Sequence, residues 1–173
     1  LLLLLFFSVT SFTPAQTAAK PEASLDDLAK MLNGNWAGGG KGEPGAGEGK
    51  FSFAYDLQNK VIVRKSHSEY PAANGRPAVI HDDLMTVYTD PASNKLKAIY
   101  FDNERHVISY NAELAADKQS VVFLSDLLSG QPRFRLSYTK QKDGTINVKF
   151  EIAPPGKPDD FTVYLNGIVH KDN

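Results

Sequence analysis

Two short patterns place metal-ligating side chains on one strand face. His67-x-Glu69 does so within an alternating run, and His81-x-Asp83 repeats it just past a loop. Imidazole and carboxylate at this spacing can hold zinc or a similar ion if strands align three or four such groups. The plainer expectation is that they are solvated strand ends beside loops. A second set is aromatic and basic. Tyr70, Tyr88, Tyr100, Tyr110, Tyr138 and Tyr164 are spread over separate segments, with Arg64, Arg133, Arg135, Glu151 and His106 on the same or neighbouring ones. Phenols, arginine and a carboxylate in a water-excluding interior can grip an acidic or aromatic ligand through charge-assisted hydrogen bonds. The same groups can run cofactor-free acid–base chemistry. The plainer expectation is tyrosine at strand ends with its hydroxyl in water, and arginine paired with glutamate outside. A serine-based triad has less support. There is no Gly-x-Ser-x-Gly elbow, and Leu128-Ser129-Gly130 reads as a turn. The chain has no cysteine, which excludes thiolate nucleophiles, disulfides and Cys-based zinc sites.

These side chains must be held by strands, because the dominant period is two. One helix comes first. Ser24 is placed to cap it, Asp27 completes a capping box, and Leu25, Leu28, Met31 and Leu32 share a face. Asn33-Gly34 stops it, so the helix is expected over Leu25–Leu32. Strands are then expected near Asn35–Gly42, Phe51–Leu57, Val61–Tyr70, Asp82–Thr89, Lys95–Phe101, His106–Glu113, Ser120–Ser125, Arg133–Lys140, Ile146–Ala153 and Phe161–His170. Short turn signals join them, Asp143-Gly144 being the most specific hairpin. Such a long meander tends to curl and close, which removes its edges. The expected fold is all-β, a single antiparallel ten-stranded up-and-down barrel capped by the short helix. A two-sheet sandwich is the alternative. Gly42–Lys50, Pro71–His81 and Pro154–Asp160 are the expected mouth loops.

Alternation predicts which faces turn inward. Phe134, Leu136 and Tyr138 form one inner set, and Ile146, Val148, Phe150 and Ile152 another. This phase puts Arg135 outside unless a bulge intervenes. His106, Ile108 and Tyr110 face together. In Val61–Tyr70 both faces turn polar. In the last strand, alternation favours Val163 and Leu165 inside.

Eight of the thirteen glycines fall between Gly34 and Gly49. Trp36, Gly38, Gly40 and Gly42 stand at strict period two, so one strand face carries a large ring beside a strip without side chains. Such a strip lets a strand or a bound ring approach the backbone closely. This Gly-x-Trp-x-Gly-x-Gly-x-Gly-x-Pro spacing resembles the motif of the nitrobindin family, haem-binding ten-stranded barrels related in shape to fatty-acid-binding proteins. A helix ending in Leu-x-Gly-x-Trp also resembles the start of lipocalin-like (calycin) bacterial domains. The resemblance covers residues 32–44, with a looser likeness over Tyr164–Val169. Glu43 stands where the motif has tyrosine, Pro44 is one place early, and the family's proximal haem histidine falls on Tyr164. The resemblance implies a barrel, and implies haem only through a tyrosine ligand.

The remaining features bound the function. With 19 Lys+Arg against 20 Asp+Glu the net charge is −1 and there is no long basic run, so nucleic acid is not the expected partner. Leu1–Phe7 is unbroken apolar sequence, followed by small residues and no charge before Lys20. Residues 1–19 therefore read as a secretory signal peptide with a clipped start, and 20–173 as the barrel domain. The apolar stretch is shorter than the ~20 residues of a membrane span, so no stable membrane anchor is expected. The expected protein is exported, periplasmic or secreted. It carries a small hydrophobic or aromatic molecule in a cavity framed by Trp36, Arg135, His106, Tyr110, Tyr138 and Tyr164. The alternatives are a lyase or hydrolase without cofactor in the same cavity, and a haem-binding barrel.

Overall fold

The computed structural model describes residues 23–43, 45–73 and 75–172. The expected signal peptide, residues 1–19, lies outside them, as does the motif's Pro44. The first element is α1 (Leu25–Leu32). The Asp27 backbone N–H donates to Ser24 Oγ at 3.2 Å, and the Ser24 N–H donates to Asp27 Oδ2 at 3.4 Å. Two otherwise orphaned donors of the first turn are thus satisfied reciprocally. Leu28 and Leu32 are fully buried, so the apolar stripe faces the barrel, packed against its second, third and fourth strands.

Ten strands follow: β1 (Gly34–Gly42), β2 (Gly45–Asp56), β3 (Val61–Tyr70), β4 (Val79–Thr89), β5 (Leu96–Asp102), β6 (Val107–Leu114), β7 (Ser120–Ser125), β8 (Arg133–Lys140), β9 (Ile146–Ala153) and β10 (Thr162–Lys171). Each pairs antiparallel with its neighbours. The last returns to the first, in register from Trp36↔Lys171 to Gly42↔Leu165, so the barrel is closed. It is an up-and-down arrangement, consistent with a calycin-like fold. The sandwich alternative does not occur, because closure satisfies the edge hydrogen bonds of β1 and β10 that a sandwich would leave open.

Two expected boundaries are corrected, the first at Pro71–His81, where β4 already begins at Val79 and so includes His81. Gly42–Lys50 is not a loop: β2 begins at Gly45, directly after a tight turn. Gly38↔Gly49, Gly40↔Gly47 and Gly42↔Gly45 are cross-strand pairs. Composition alone reads as a flexible connection here. The ladder forms because neighbouring strands close over the glycines so tightly that side chains would not fit. A Cβ at Gly40 would stand 3.1 Å from the Asn166 carbonyl oxygen, and one at Gly38 would overlap the Ile168 backbone.

The core fills the helix-capped half. Trp36 lies beneath α1, its indole Nε1–H donating to the Leu32 carbonyl at 2.8 Å. Above it, Phe51, Phe53, Phe123 and Tyr138 pack edge to face, with centroids 5.5–6.2 Å apart. This is the favoured geometry for ring quadrupoles. The opposite end of the barrel is polar inside, and the candidate site lies there.

Candidate functional site

The glycine strip leaves space because it has nothing to fill it. On the inner face, Gly38 and Gly40 of β1, Gly47 and Gly49 of β2 and Gly167 of β10 line a recess of about 80 Å³. Its other walls are Arg64, Ser66, Ser68 and Tyr70 of β3, with Phe51, Val148, Leu165 and Val169 supplying apolar surface. A Cβ at Gly47 would lie 2.5 Å from the Tyr70 ring, so this glycine is what allows Tyr70 to lean across β2. An open depression of about 740 Å³ shares Gly39, Gly40, Gly47, Glu48 and Gly167 with the recess and extends to Lys41, Pro71 and Ile168.

Arg64 is the central residue. Alternation along β3 puts Ile62, Arg64, Ser66 and Ser68 inward and Lys65, His67 and Glu69 outward. The Arg64 guanidinium is therefore inside the barrel, where Asp83 of β4 pairs with it through Nη1. Their side chains are 8% and 6% exposed. Burial is the largest influence and works against the Arg64 charge, but Asp83 together with Tyr138, Tyr100 and Tyr110 more than offsets it and the guanidinium stays ionised. The guanidinium also lies over the Phe51 ring, 5.2 Å from its centroid. The Tyr138 hydroxyl is buried against the Arg64 guanidinium, although neither it nor Arg64 Nε makes a well-aligned hydrogen bond.

From this pair a line of polar groups runs outward along the inner faces of β4 and β5. His81 Nε2 is 3.8 Å from Asp83 and 2.9 Å from the Tyr100 hydroxyl. Tyr100 in turn donates to Asp102 at 3.4 Å, and His106 Nδ1 meets Asp102 at 2.8 Å. Burial opposes the Asp102 charge. Hydrogen bonds from the His106 backbone and imidazole and from the Glu104 N–H overcome it, holding the carboxyl below the usual range. Burial, reinforced by Asp83, pushes the Tyr100 phenol well above its ordinary value, so it stays a neutral donor. Burial raises Tyr110 too, and lifts Tyr138 to about 12.

The structure separates the residues that the sequence groups together. Tyr110 and Tyr138 are buried in the interior, Tyr138 against Phe51 and Tyr110 between Tyr100 and Phe123. His106 is at the open end, exposed and tied to Asp102. Trp36 is at the other end, under the helix. Arg135 is on the outer face, in a two-point ion pair with Glu151 at 2.7 and 2.9 Å, and stacks on Phe161. Tyr164 occupies a bulge between Val163 and Leu165. The extra residue turns Leu165 inward to line the recess and leaves Val163 exposed, while Tyr164 meets Phe150 edge-on at 6.0 Å. Of this line, Tyr100 belongs to the aromatic and basic set read from the sequence, whereas His81 and Asp83 read there only as candidate metal ligands. The usable signal was alternation counted back from Met85 and Val87, which puts Asp83 and His81 on the buried face.

His67 and His81 fall on opposite faces of the wall, so their pairs cannot share an ion. His67 bridges Asp82 and Glu69 on the outside, at 2.7 and 2.9 Å, and these hydrogen bonds, Glu69 first, raise its pKa. Among the described residues no group of three or more His, Asp or Glu is arranged to hold a metal ion. Tyr164, on which the resemblance puts a haem ligand, lines neither the recess nor the depression.

The chain matches no protein-family model and no curated protein. The resemblance to nitrobindin and lipocalin-like families therefore rests on the motif and the barrel alone.

Proposed function

We propose that this is an exported binding protein for a small apolar or aromatic molecule, taken into the glycine-lined recess with its polar end toward Arg64. The observation that carries this reading is the recess itself, a space free of side chains beside a buried, ion-paired guanidinium. Ten strands enclose more volume than the rings of the capped half occupy. The apolar wall of Phe51, Val148, Leu165 and Val169 supplies contact area, and the polar side supplies orientation. Export rests on the leading apolar run. The test is native mass spectrometry of protein produced with its leader and purified from the periplasm. A bound small molecule is expected, lost in Ser66→Leu, which fills the recess from β3. Ligand-free protein, with no uptake from a library of single-ring aromatics, would overturn the reading.

The chain of Asp83, His81, Tyr100, Asp102 and His106 favours a second reading, proton-transfer chemistry without a cofactor. His81 is the candidate base and Tyr100 the candidate donor. Phenolic acids and small esters are the substrates to screen. Equal turnover by wild type, His81→Ala and Tyr100→Phe removes this reading.

A further inference from the structure

We infer that Tyr70 gates the recess: in the free protein its ring occupies part of the glycine floor, and a single-ring aromatic molecule binds by displacing that ring and taking its place. This deepens the binding proposal above and rests on it. Three observations carry it. The first is volume. The recess measures about 80 Å³, whereas an apolar cavity that admits benzene measures on the order of 150 Å³. A ring therefore enters only if a wall residue yields space.

The second observation is which residue can yield. Arg64 is paired with Asp83. Phe51 is held edge to face against Phe53 and Tyr138. The glycine walls are backbone, fixed in the ladders that β1 makes with β2 and β10. Ser66 and Ser68 are too small to free the space of a ring, and the aliphatic wall residues are branched side chains with few rotamers. Tyr70 differs from all of these. It is the last residue of β3, it is half-buried, and it is not one of the edge-to-face rings of the core. A change of χ1 well lifts its ring off the floor without moving the backbone.

The third observation is where that ring lies. A Cβ at Gly47 would stand 2.5 Å from Tyr70 Cδ1 and 2.7 Å from Cε1. The edge of the phenol thus fills the position that a side chain on β2 would take, so the floor already receives an aromatic ring. A ligand ring of the same size exchanges for it. Because the floor is free only while Tyr70 is turned away, apparent affinity is reduced by the fraction of protein in that open state.

p-Cresol reproduces the tyrosine side chain and is the probe, titrated into the purified protein by NMR. In the free protein a nuclear Overhauser contact should join the Tyr70 ring to the Gly47 α-protons. On saturation that contact should vanish, replaced by one from the p-cresol ring to Gly47. Tyr70→Ala should bind p-cresol about tenfold more tightly than wild type, since the closed state no longer competes. Tyr70→Phe, which keeps the ring, should stay within about twofold of wild type. A wall residue that merely grips the ligand gives the opposite order, because its truncation weakens binding. Unchanged or weaker binding by Tyr70→Ala therefore overturns the gate, as does p-cresol bound with the Tyr70–Gly47 contact intact. Both results leave the binding proposal standing. The exchange of contacts is read on wild type and does not depend on how the variants fold. Binding by Tyr70→Ala alone is the supporting result with the gate fully closed, whereas no binding by either protein overturns both proposals.

Discussion

Arg64 and Asp83 are worth more to each other than to the stability of the barrel. Two charges removed from water gain roughly what their desolvation costs, but a single one left behind is strongly penalised. Asp83→Ala should therefore cost about 3–5 kcal/mol in urea denaturation. Arg64→Met combined with Asp83→Leu should recover most of that loss, while abolishing any selectivity for a polar ligand group. Full additivity of the two single substitutions would show that the pair is not coupled. A pH dependence follows from Asp102. Its carboxyl titrates below the ordinary range when folded, against about 3.9 when unfolded. Its contribution is complete above the unfolded value and is lost as pH falls through the lower folded one. Glu151, held down by Arg135 and then Lys149, acts with the same sign. Melting temperature should be level from about pH 5 to 7 and fall steeply below about pH 4. Asp102→Asn should shallow that acid limb, and an unaltered limb would contradict this assignment. Little of this was legible beforehand. Arg64 stood in the sequence as one arginine in a strand polar on both faces, and only its phase relative to Ile62 marks it as interior.

The helix and the glycine hairpin show the two ways an element is specified. In α1 the signal is local: a cap, an acidic first turn, an apolar stripe and a stop. Ser24→Ala should cost about 1 kcal/mol and lower the melting temperature without altering the barrel. In β1 and β2 the signal is an absence of side chains, and its meaning comes from β10. A Cβ at Gly38 would collide with the Ile168 and Val169 backbone, which no rotamer can relieve. Gly38→Ala should destabilise by about 1–3 kcal/mol. Amide hydrogen exchange should locate the loss in the β1–β10 ladder. Protection lost elsewhere but kept in β10 would contradict that account. The strand phases of β8 and β9 were readable from alternation, including the outward direction of Arg135. The last strand was not, since a bulge at Tyr164 breaks the period it would be read from.

Closure joins residue 36 to residue 171, nearly the whole described chain apart. Such non-local pairing delays folding, because loop-closure entropy is lost before the contact is made. Trp36 reports it directly. It is buried under α1, and Lys171 of β10 lies over its ring at 4.4 Å. Refolding followed by Trp36 fluorescence should be slow, in the millisecond-to-second range of β topologies. Deleting residues 162–173 should leave Trp36 water-accessible to a soluble quencher. A blue-shifted, protected Trp36 in that truncated chain would mean that the barrel does not need β10. Hydrophobic period, turn residues and the helix cap were enough to specify one helix, ten strands and their order, because each depends on neighbours in the chain. The recess, the buried ion pair and the contact between Arg64 and Tyr138 depend on residues more than a dozen positions apart. Closure brings them together, and only the packed barrel determines which polar side chains lose water and which space stays empty.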